Sequence, residues 1–317
     1  MKAVLLTEYG PNFDVLSLRE VPEPEIGPGD VLVEVHAAGF NPFEAKLRKG
    51  YLQRFYPFAL PHVLGNDFAG VVVRTGPSVF HVRPGDRVYG LQSTMRWGSY
   101  AEYIAVQADF VRRMPNNLTF TEAASLPMVY QTAWMGLAGF AKVRPGELVL
   151  VHGAAGGVGS AAVQLARALG ARVAGTCSSD ALDFVRSLGT DVVIDYRTLD
   201  FKHLLRNVDA VFDPLGGQVN LDSYEVMRRG AVMIVVLRED KLEMDNRERL
   251  EREHGVRTCV VAFENLPEVL DFLRPLFEDG RLKPVVTRVL PLAQAAEAHR
   301  ASDAGHARGK TVLSVRS

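Results

Sequence analysis

Cysteine is nearly absent. The 317-residue chain has two, Cys177 and Cys259, too few and too far apart for a disulfide framework or a Cys-rich zinc site. Both read as ordinary core thiols. No charge of one sign dominates either: 36 Lys and Arg face 37 Asp and Glu, a net charge of −1. That balance argues against nucleic-acid binding, which needs clustered positive charge. No apolar run approaches the roughly 18 residues of a membrane span, and residues 231–237 read as a buried strand. The first residues lack the long apolar region and cleavage site of a signal peptide, so a cytoplasmic protein with no membrane partner is expected. Hydrophobic residues make up 47% and charged residues 23%, ordinary for a globular chain. At roughly 100–200 residues per domain the length suggests two.

What is present changes character along the chain. Residues 1–7, 31–38, 69–75 and 87–89 are short apolar runs separated by turn-makers such as Gly27-Pro28-Gly29-Asp30 and Pro84-Gly85-Asp86. This pattern reads as a β-rich, partly open barrel. Near residue 120 the pattern becomes strand–helix alternation. Helices are expected at 121–124, with Thr119 or Thr121 as N-cap, and at 132–141, 160–170, 181–188 and 201–206. Strands are expected at 147–152, 172–176, 192–195, 210–213 and 231–237, which implies βαβ units and a parallel sheet. The tail brings helices at 266–278 and 292–301 and strands at 285–290 and 311–315, which are open to joining either domain. The charge-dense stretch 238–253 reads as a solvated segment.

The segment Val149-Leu150-Val151-His152-Gly153-Ala154-Ala155-Gly156-Gly157-Val158-Gly159 carries the strongest chemical signal. It follows an apolar strand and opens an apolar-periodic helix, the context a dinucleotide fingerprint requires. Gly156 and Gly157 let the backbone approach a pyrophosphate, and Gly159 lets helix and strand lie close. The helix N-terminus offers N–H groups to the phosphates. No Gly-Lys-Ser/Thr ends the run, so it is not a P-loop, and no G-x-S-x-G elbow is found. The next strand ends Thr176-Cys177-Ser178-Ser179, with no acid before Asp180. Hydroxyls there favour a 2′-phosphate, hence NADPH over NADH.

Several motifs together resemble the zinc-free quinone oxidoreductase branch of the medium-chain dehydrogenase/reductase superfamily. They are Ala38-Gly39-Phe40-Asn41-Pro42, Gly65-Asn66-Asp67-Phe68-Ala69-Gly70-Val71-Val72, Gly98-Ser99-Tyr100-Ala101-Glu102-Tyr103, Ala123-Ala124-Ser125-Leu126-Pro127 and Gly309-Lys310-Thr311-Val312-Leu313. They occur in order along essentially the whole chain. The resemblance implies an α/β protein in which a Rossmann cofactor domain (121–266) is inserted into a GroES-like β-rich catalytic domain (1–120 and 267–317), with the active site in the cleft. It also implies a homodimer, for which the run 231–237 is a candidate sheet-edge strand.

The same resemblance places Ala155, Gly156, Gly157, Val158 and Gly159 on the pyrophosphate, and Ser178, Ser179 and Tyr196 at the adenosine phosphate. It puts Thr132 near the nicotinamide. Where many NADPH-using members have a Lys after the second strand, this chain has Ala181. Arg238 is a candidate compensating contact. Zinc-dependent relatives carry Cys at the position of Asn41 and His-Glu at Asn66-Asp67, so no metal is expected. His62 reads as structural. Without a Lewis acid, alcohol oxidation is disfavoured. Hydride transfer to a quinone or an α,β-unsaturated carbonyl is the expected reaction. Asn41 is the candidate donor to the developing oxyanion, and Lys46, Tyr51 and Tyr56 are candidates for orienting substrate or supplying a proton. An enoyl-thioester or enone reductase, or a non-catalytic NADPH-binding sensor, is the alternative.

Overall fold

The computed structural model describes residues 1–236, 241–262, 264–305 and 308–316. Two compact units share the chain. The first holds Met1–Met128, Asn265–Gly280 and Pro284–Ser317, and the second Val129–Glu264 with Arg281–Lys283.

The chain begins with β1 (Lys2–Leu6), β2 (Leu16–Glu20), β3 (Asp30–Gly39), α1 (Pro42–Arg48), β4 (His62–Val63), β5 (Asp67–Thr75), β6 (Arg87–Leu91), β7 (Tyr103–Gln107), β8 (Val111–Arg113) and α2 (Phe120–Ala124). Then come α3 (Pro127–Trp134), β9 (Leu148–Val151), α4 (Gly157–Ala168), β10 (Arg172–Cys177), α5 (Leu182–Ser187), β11 (Val192–Asp195) and α6 (Phe201–Leu204). These are followed by β12 (Val208–Asp213), α7 (Gln218–Ser223), β13 (Met227–Val236), α8 (Lys241–His254) and β14 (Arg257–Val261). The tail is α9 (Pro267–Glu278), β15 (Val286–Pro291), α10 (Ala295–Asp303) and β16 (Lys310–Ser314).

In the first unit β3 is the organising strand. One edge pairs antiparallel with β5 along its length. The other is shared: Asp30–Glu34 pair with β7 and Ala37–Gly39 pair with β16. The last strand of the chain thereby completes a sheet begun by the first forty residues, in the order β15-β16-β3-β5-β6-β8. Val31, Val33, Val35, Phe68, Val72, Val88 and Ile104 pack as its core. A second sheet, β2-β1-β4, completes the unit.

The second unit is a six-stranded parallel sheet in the order β11-β10-β9-β12-β13-β14. Its inner strands carry apolar runs, Leu148–Val151 in β9 and residues 231–236 in β13, because sheets of this kind are covered on both faces. Leu150, Ala174, Ile194, Val211 and Met233 lie in the core. The strand order reverses between β9 and β12, the position at which doubly wound sheets take their ligands.

Two expectations are corrected and a third, which offered two residues, is narrowed to one of them. The run expected at 231–237 as a candidate edge strand falls, through residue 236, in β13, which is paired on both sides by β12 and β14, so that β11 and β14 are the edges; Leu237 lies outside the described residues. The helix expected at 132–141 begins earlier, at Pro127, and residues 135–140 continue as a π-helical turn. Gly136 sits in that turn, where a Cβ would lie 2.7 Å from Ile234 and 3.0 Å from Phe212, so the backbone lies directly on the sheet. Thr119 alone is the N-cap of α2, through a reciprocal bond pair with Glu122. Among the described residues no helix is long and apolar enough to cross a membrane.

Candidate functional site

In the second unit, β9 leads into His152, whose side chain is fully buried. Its ring bonds Thr176 Oγ1 at 3.0 Å and Ser223 Oγ at 2.9 Å. Ser223 spends its hydroxyl hydrogen on the Val219 carbonyl, so it accepts from Nε2–H, and Nδ1 accepts from Thr176. Burial depresses the His152 pKa to about 4, which keeps the ring neutral. The imidazole thus ties β9 to β10 and α7 at the mouth of the loop.

The chain then turns through Gly153, at φ 57°, and starts α4 with Gly156 as N-cap. Gly159 tolerates no side chain, since a Cβ there would lie 2.1 Å from the Gly153 carbonyl oxygen. Gly156, Gly157 and Val158 are half-buried at the helix start, whereas Ala155 is buried. The first-turn amides have no carbonyl ahead of them in the helix, and the helix dipole adds partial positive charge. This small-residue cradle fits a pyrophosphate.

Beyond it, β10 and β11 run parallel with Cys177 opposite Asp195. This register brings Ser178 and Ser179 beside Tyr196. Ser179 Oγ donates to Asp195 Oδ2 at 2.6 Å, and Tyr196 is exposed. Thr132 is half-buried on α3. Arg238 lies outside the described residues.

In the first unit the motif Asn41-Pro42-Phe43-Glu44 is a capping box. Glu44 Oε2 accepts from the Asn41 amide N–H at 2.7 Å, with Pro42 at the first helical position. The Asn41 side chain is 3% exposed. Its Nδ2 donates to Glu44 Oε1 at 3.2 Å and to Asp67 Oδ2 at 3.0 Å. Both amide hydrogens are therefore committed, contrary to the expected role of donor to a substrate oxygen. Lys310, also buried, donates to the Phe40 carbonyl at 2.7 Å, to Asn41 Oδ1 and to Asp67 Oδ2 at 3.1 Å. Asp67 Oδ1 accepts from the Met128 N–H at 2.7 Å. Burial, opposed by Lys310, raises the Glu44 pKa to about 7.

Lys46, Tyr51 and Tyr56 follow Asn41 on α1 and the succeeding turn. Lys46 is half-buried, and its carbonyl accepts from the Tyr51 N–H. Tyr51 is exposed. Tyr56 is half-buried edge-on against Phe43, 5.3 Å between ring centroids, and burial raises its pKa. His62 stacks on Phe58 at 4.0 Å, and burial lowers its pKa to about 4, a packing role. Sequence reasoning missed Glu44, Asp67 and Lys310 as one cluster. The Asn-x-x-Glu capping spacing was the readable signal for Glu44, whereas nothing local pairs Lys310 with Asn41.

Two family models match the chain: "Alcohol dehydrogenase GroES-like domain" over residues 27–116 and "Zinc-binding dehydrogenase" over 188–313. The chain is 31% identical to the mouse mitochondrial NAD(P)H oxidoreductase RTN4IP1, covering 99% of this chain and 89% of that one. It is 35% identical to the chloroplastic NADPH-dependent alkenal/one oxidoreductase of Arabidopsis thaliana, covering 99% and 79%. The solved quinone oxidoreductase from Coxiella burnetii superposes with a TM-score of 0.90 at 32% identity, over 100% of this chain and 99% of that one. The chain belongs to the quinone oxidoreductase branch of the medium-chain dehydrogenase/reductase superfamily. It is an oxidoreductase. Zinc does not fit the polar cluster of this oxidoreductase. A tetrahedral zinc site needs thiolate, imidazole or carboxylate donors around an open centre. Here an amide spends its hydrogens on two carboxylates, and the Lys310 ammonium already holds the position of a cation beside Asp67. Among the described residues no group of three or more His, Cys, Asp or Glu is arranged to hold a metal.

Proposed function

We propose that this protein is an NADPH-dependent, zinc-independent reductase whose acceptor is a quinone or an α,β-unsaturated carbonyl. The observation that carries the reading is the buried Asn41–Asp67–Lys310 cluster, in which a fixed ammonium takes the place of a cation beside Asp67 and the amide hydrogens are spent on carboxylates. A site of that kind has no Lewis acid with which to lower the pKa of an alcohol, so an acceptor that is already electron-poor suits it. The names of the Arabidopsis and Coxiella relatives, an alkenal/one oxidoreductase and a quinone oxidoreductase, support the same class.

The cradle of Ala155, Gly156, Gly157, Val158 and Gly159 would hold the pyrophosphate. Ser178, Ser179 and Tyr196 would meet the adenosine end, and Thr132 the nicotinamide end. When bound, the reduced nicotinamide supplies the hydride equivalent. The chain's own work is orientation, desolvation and proton supply. Asn41, with no hydrogen to spare, is a positioning residue that fixes the N-terminus of α1. Lys46, Tyr51 and Tyr56 hang on that helix and its following turn, and to them falls the orienting of the acceptor. Tyr56, a phenol that carries its proton at neutral pH and lies half-buried against Phe43, is the proton donor we propose, with water as the alternative source.

The test is NADPH consumption by chelator-treated protein, with a simple quinone and an alkenone offered in parallel and NADH as control. Turnover of either acceptor without metal is expected, faster with NADPH. Turnover that appears only on adding zinc overturns the metal-free reading. NADPH binding without turnover of either acceptor favours a sensor.

A further inference from the structure

An NADPH site needs a cation for the 2′-phosphate, and Ala181, where many NADPH-using relatives have a Lys, cannot supply one. Its side chain is 1% exposed and its N–H is tied to the Ser178 carbonyl. The charged groups at the C-terminal ends of β10 and β11 are Asp180, Asp195 and Arg197, with Asp183 and Arg186 paired to each other on α5. Asp195 is turned inward. One oxygen takes the Ser179 hydroxyl at 2.6 Å and the other the Arg197 N–H at 3.0 Å, and the residue is 7% exposed. Among the described residues at these strand ends, Arg197 and Asp180 form the other exposed pair, longer than the 2.7 Å pair of Arg186 and Asp183. The Arg197 guanidinium lies 3.7 Å from Asp180 Oδ1, the side chains 47% and 61% exposed. Arg197 also lies over the Tyr196 ring, 5.9 Å from its centroid.

We infer that Arg197 is the cation that receives the 2′-phosphate of the dinucleotide, and that Asp180 is the competing counter-ion that sets the preference between NADPH and NADH. The proposal rests on the reading of residues 153–159 as a dinucleotide cradle. An exposed pair this long is weak. A phosphate dianion presents more charge and matches the planar guanidinium fork with two parallel hydrogen bonds, so it displaces the carboxylate. The Asp195 bond to the Arg197 backbone and the neighbouring Tyr196 ring keep the side chain at the strand end. In the absence of a 2′-phosphate, Asp180 neutralises Arg197, so NADH meets no net charge there.

The experiment is equilibrium binding of NADPH and of NADH, followed by nicotinamide fluorescence, to the wild type, Arg197→Gln and Asp180→Asn. Arg197→Gln is expected to weaken NADPH by about 10- to 100-fold, the range for a hydrogen bond to a charged group, and to leave NADH within about twofold, no such bond being lost. Asp180→Asn is expected to tighten NADPH and leave NADH unchanged, the opposite direction from a variant that merely damages the fold. Equal effects of Arg197→Gln on both dinucleotides, or weaker NADPH binding by Asp180→Asn, overturn the assignment of Arg197 while leaving the cradle intact. Failure of the wild type to bind either dinucleotide overturns the cradle and this inference together.

Discussion

Glu44 shows how one buried carboxyl couples packing to pH. It caps α1, accepts from Asn41 and from the Asn66 N–H, and sits near two further charges, Asp67 and Lys310. One ammonium cannot neutralise two carboxylates, so burial and Asp67 outweigh Lys310 and the Glu44 pKa rises to about 7. In the unfolded chain it returns to about 4.3. Between those values the native state holds one more proton than the unfolded chain, so this group makes stability fall as pH rises. The steepest slope is about 1.4 kcal/mol per pH unit. Glu44→Gln keeps a capping-box residue but cannot ionise. We expect its stability relative to wild type to grow from pH 5 to pH 8 in urea denaturation, and parallel curves for the two proteins would contradict the assignment. The charge arithmetic was not legible in the sequence. Asn41-Pro42-Phe43-Glu44 could be read as a helix start, but its partners Asp67 and Lys310 are 26 and 269 residues from Asn41.

At the scale of single elements, legibility followed burial. The strands of the parallel sheet stood out because both faces are covered, leaving unbroken apolar runs such as Leu148–Val151 and residues 231–236 of β13. β14 did not stand out, being a short, half-buried edge strand, and α1 is a seven-residue helix with two basic residues in its last turn. The loop into α4 was read by its glycines, and the structure separates their tasks. At Gly159 a Cβ would strike the Gly153 carbonyl at 2.1 Å, whereas at Gly156 the nearest atom is that same oxygen at 3.3 Å. Gly159→Ala must push helix from strand, and we expect a loss of about 1–3 kcal/mol or more in chemical denaturation. Gly156→Ala swaps one N-cap for a poorer one at a cost of about 1 kcal/mol, yet puts a methyl group where a pyrophosphate would lie. Its dinucleotide affinity is expected to drop while its unfolding midpoint moves less than that of Gly159→Ala. If the two variants lose stability and affinity in the same proportion, the division of labour between these glycines is wrong.

Over the whole molecule the unit built first is also finished last. The Gly309-Lys310-Thr311-Val312-Leu313 ending was recognisable by motif. Sequence could not say which sheet the tail strands join, because β16 is a short strand whose two apolar residues, Val312 and Leu313, would suit either. Its register answers this: Val312–Ser314 pair with Ala37–Gly39, and Lys310 enters the Asn41–Asp67 cluster. A chain ending at Gly305 therefore loses a central strand, separating β15 from β3, and leaves Asp67 buried without its ammonium. Removing one partner of a buried ion pair costs about 3–5 kcal/mol alone, against a total domain stability of about 5–15 kcal/mol, and the broken sheet adds to it. The parallel sheet β11-β10-β9-β12-β13-β14 takes no strand from the tail. Hydrogen exchange on the truncated chain is thus expected to show unprotected amides in β3 and β5 beside protected ones in β9, β10 and β12. Equal protection of β3 in the truncated and full chains would mean that the tail is dispensable to the first sheet. Loss of protection in all five strands would mean that the two units fold as one cooperative body.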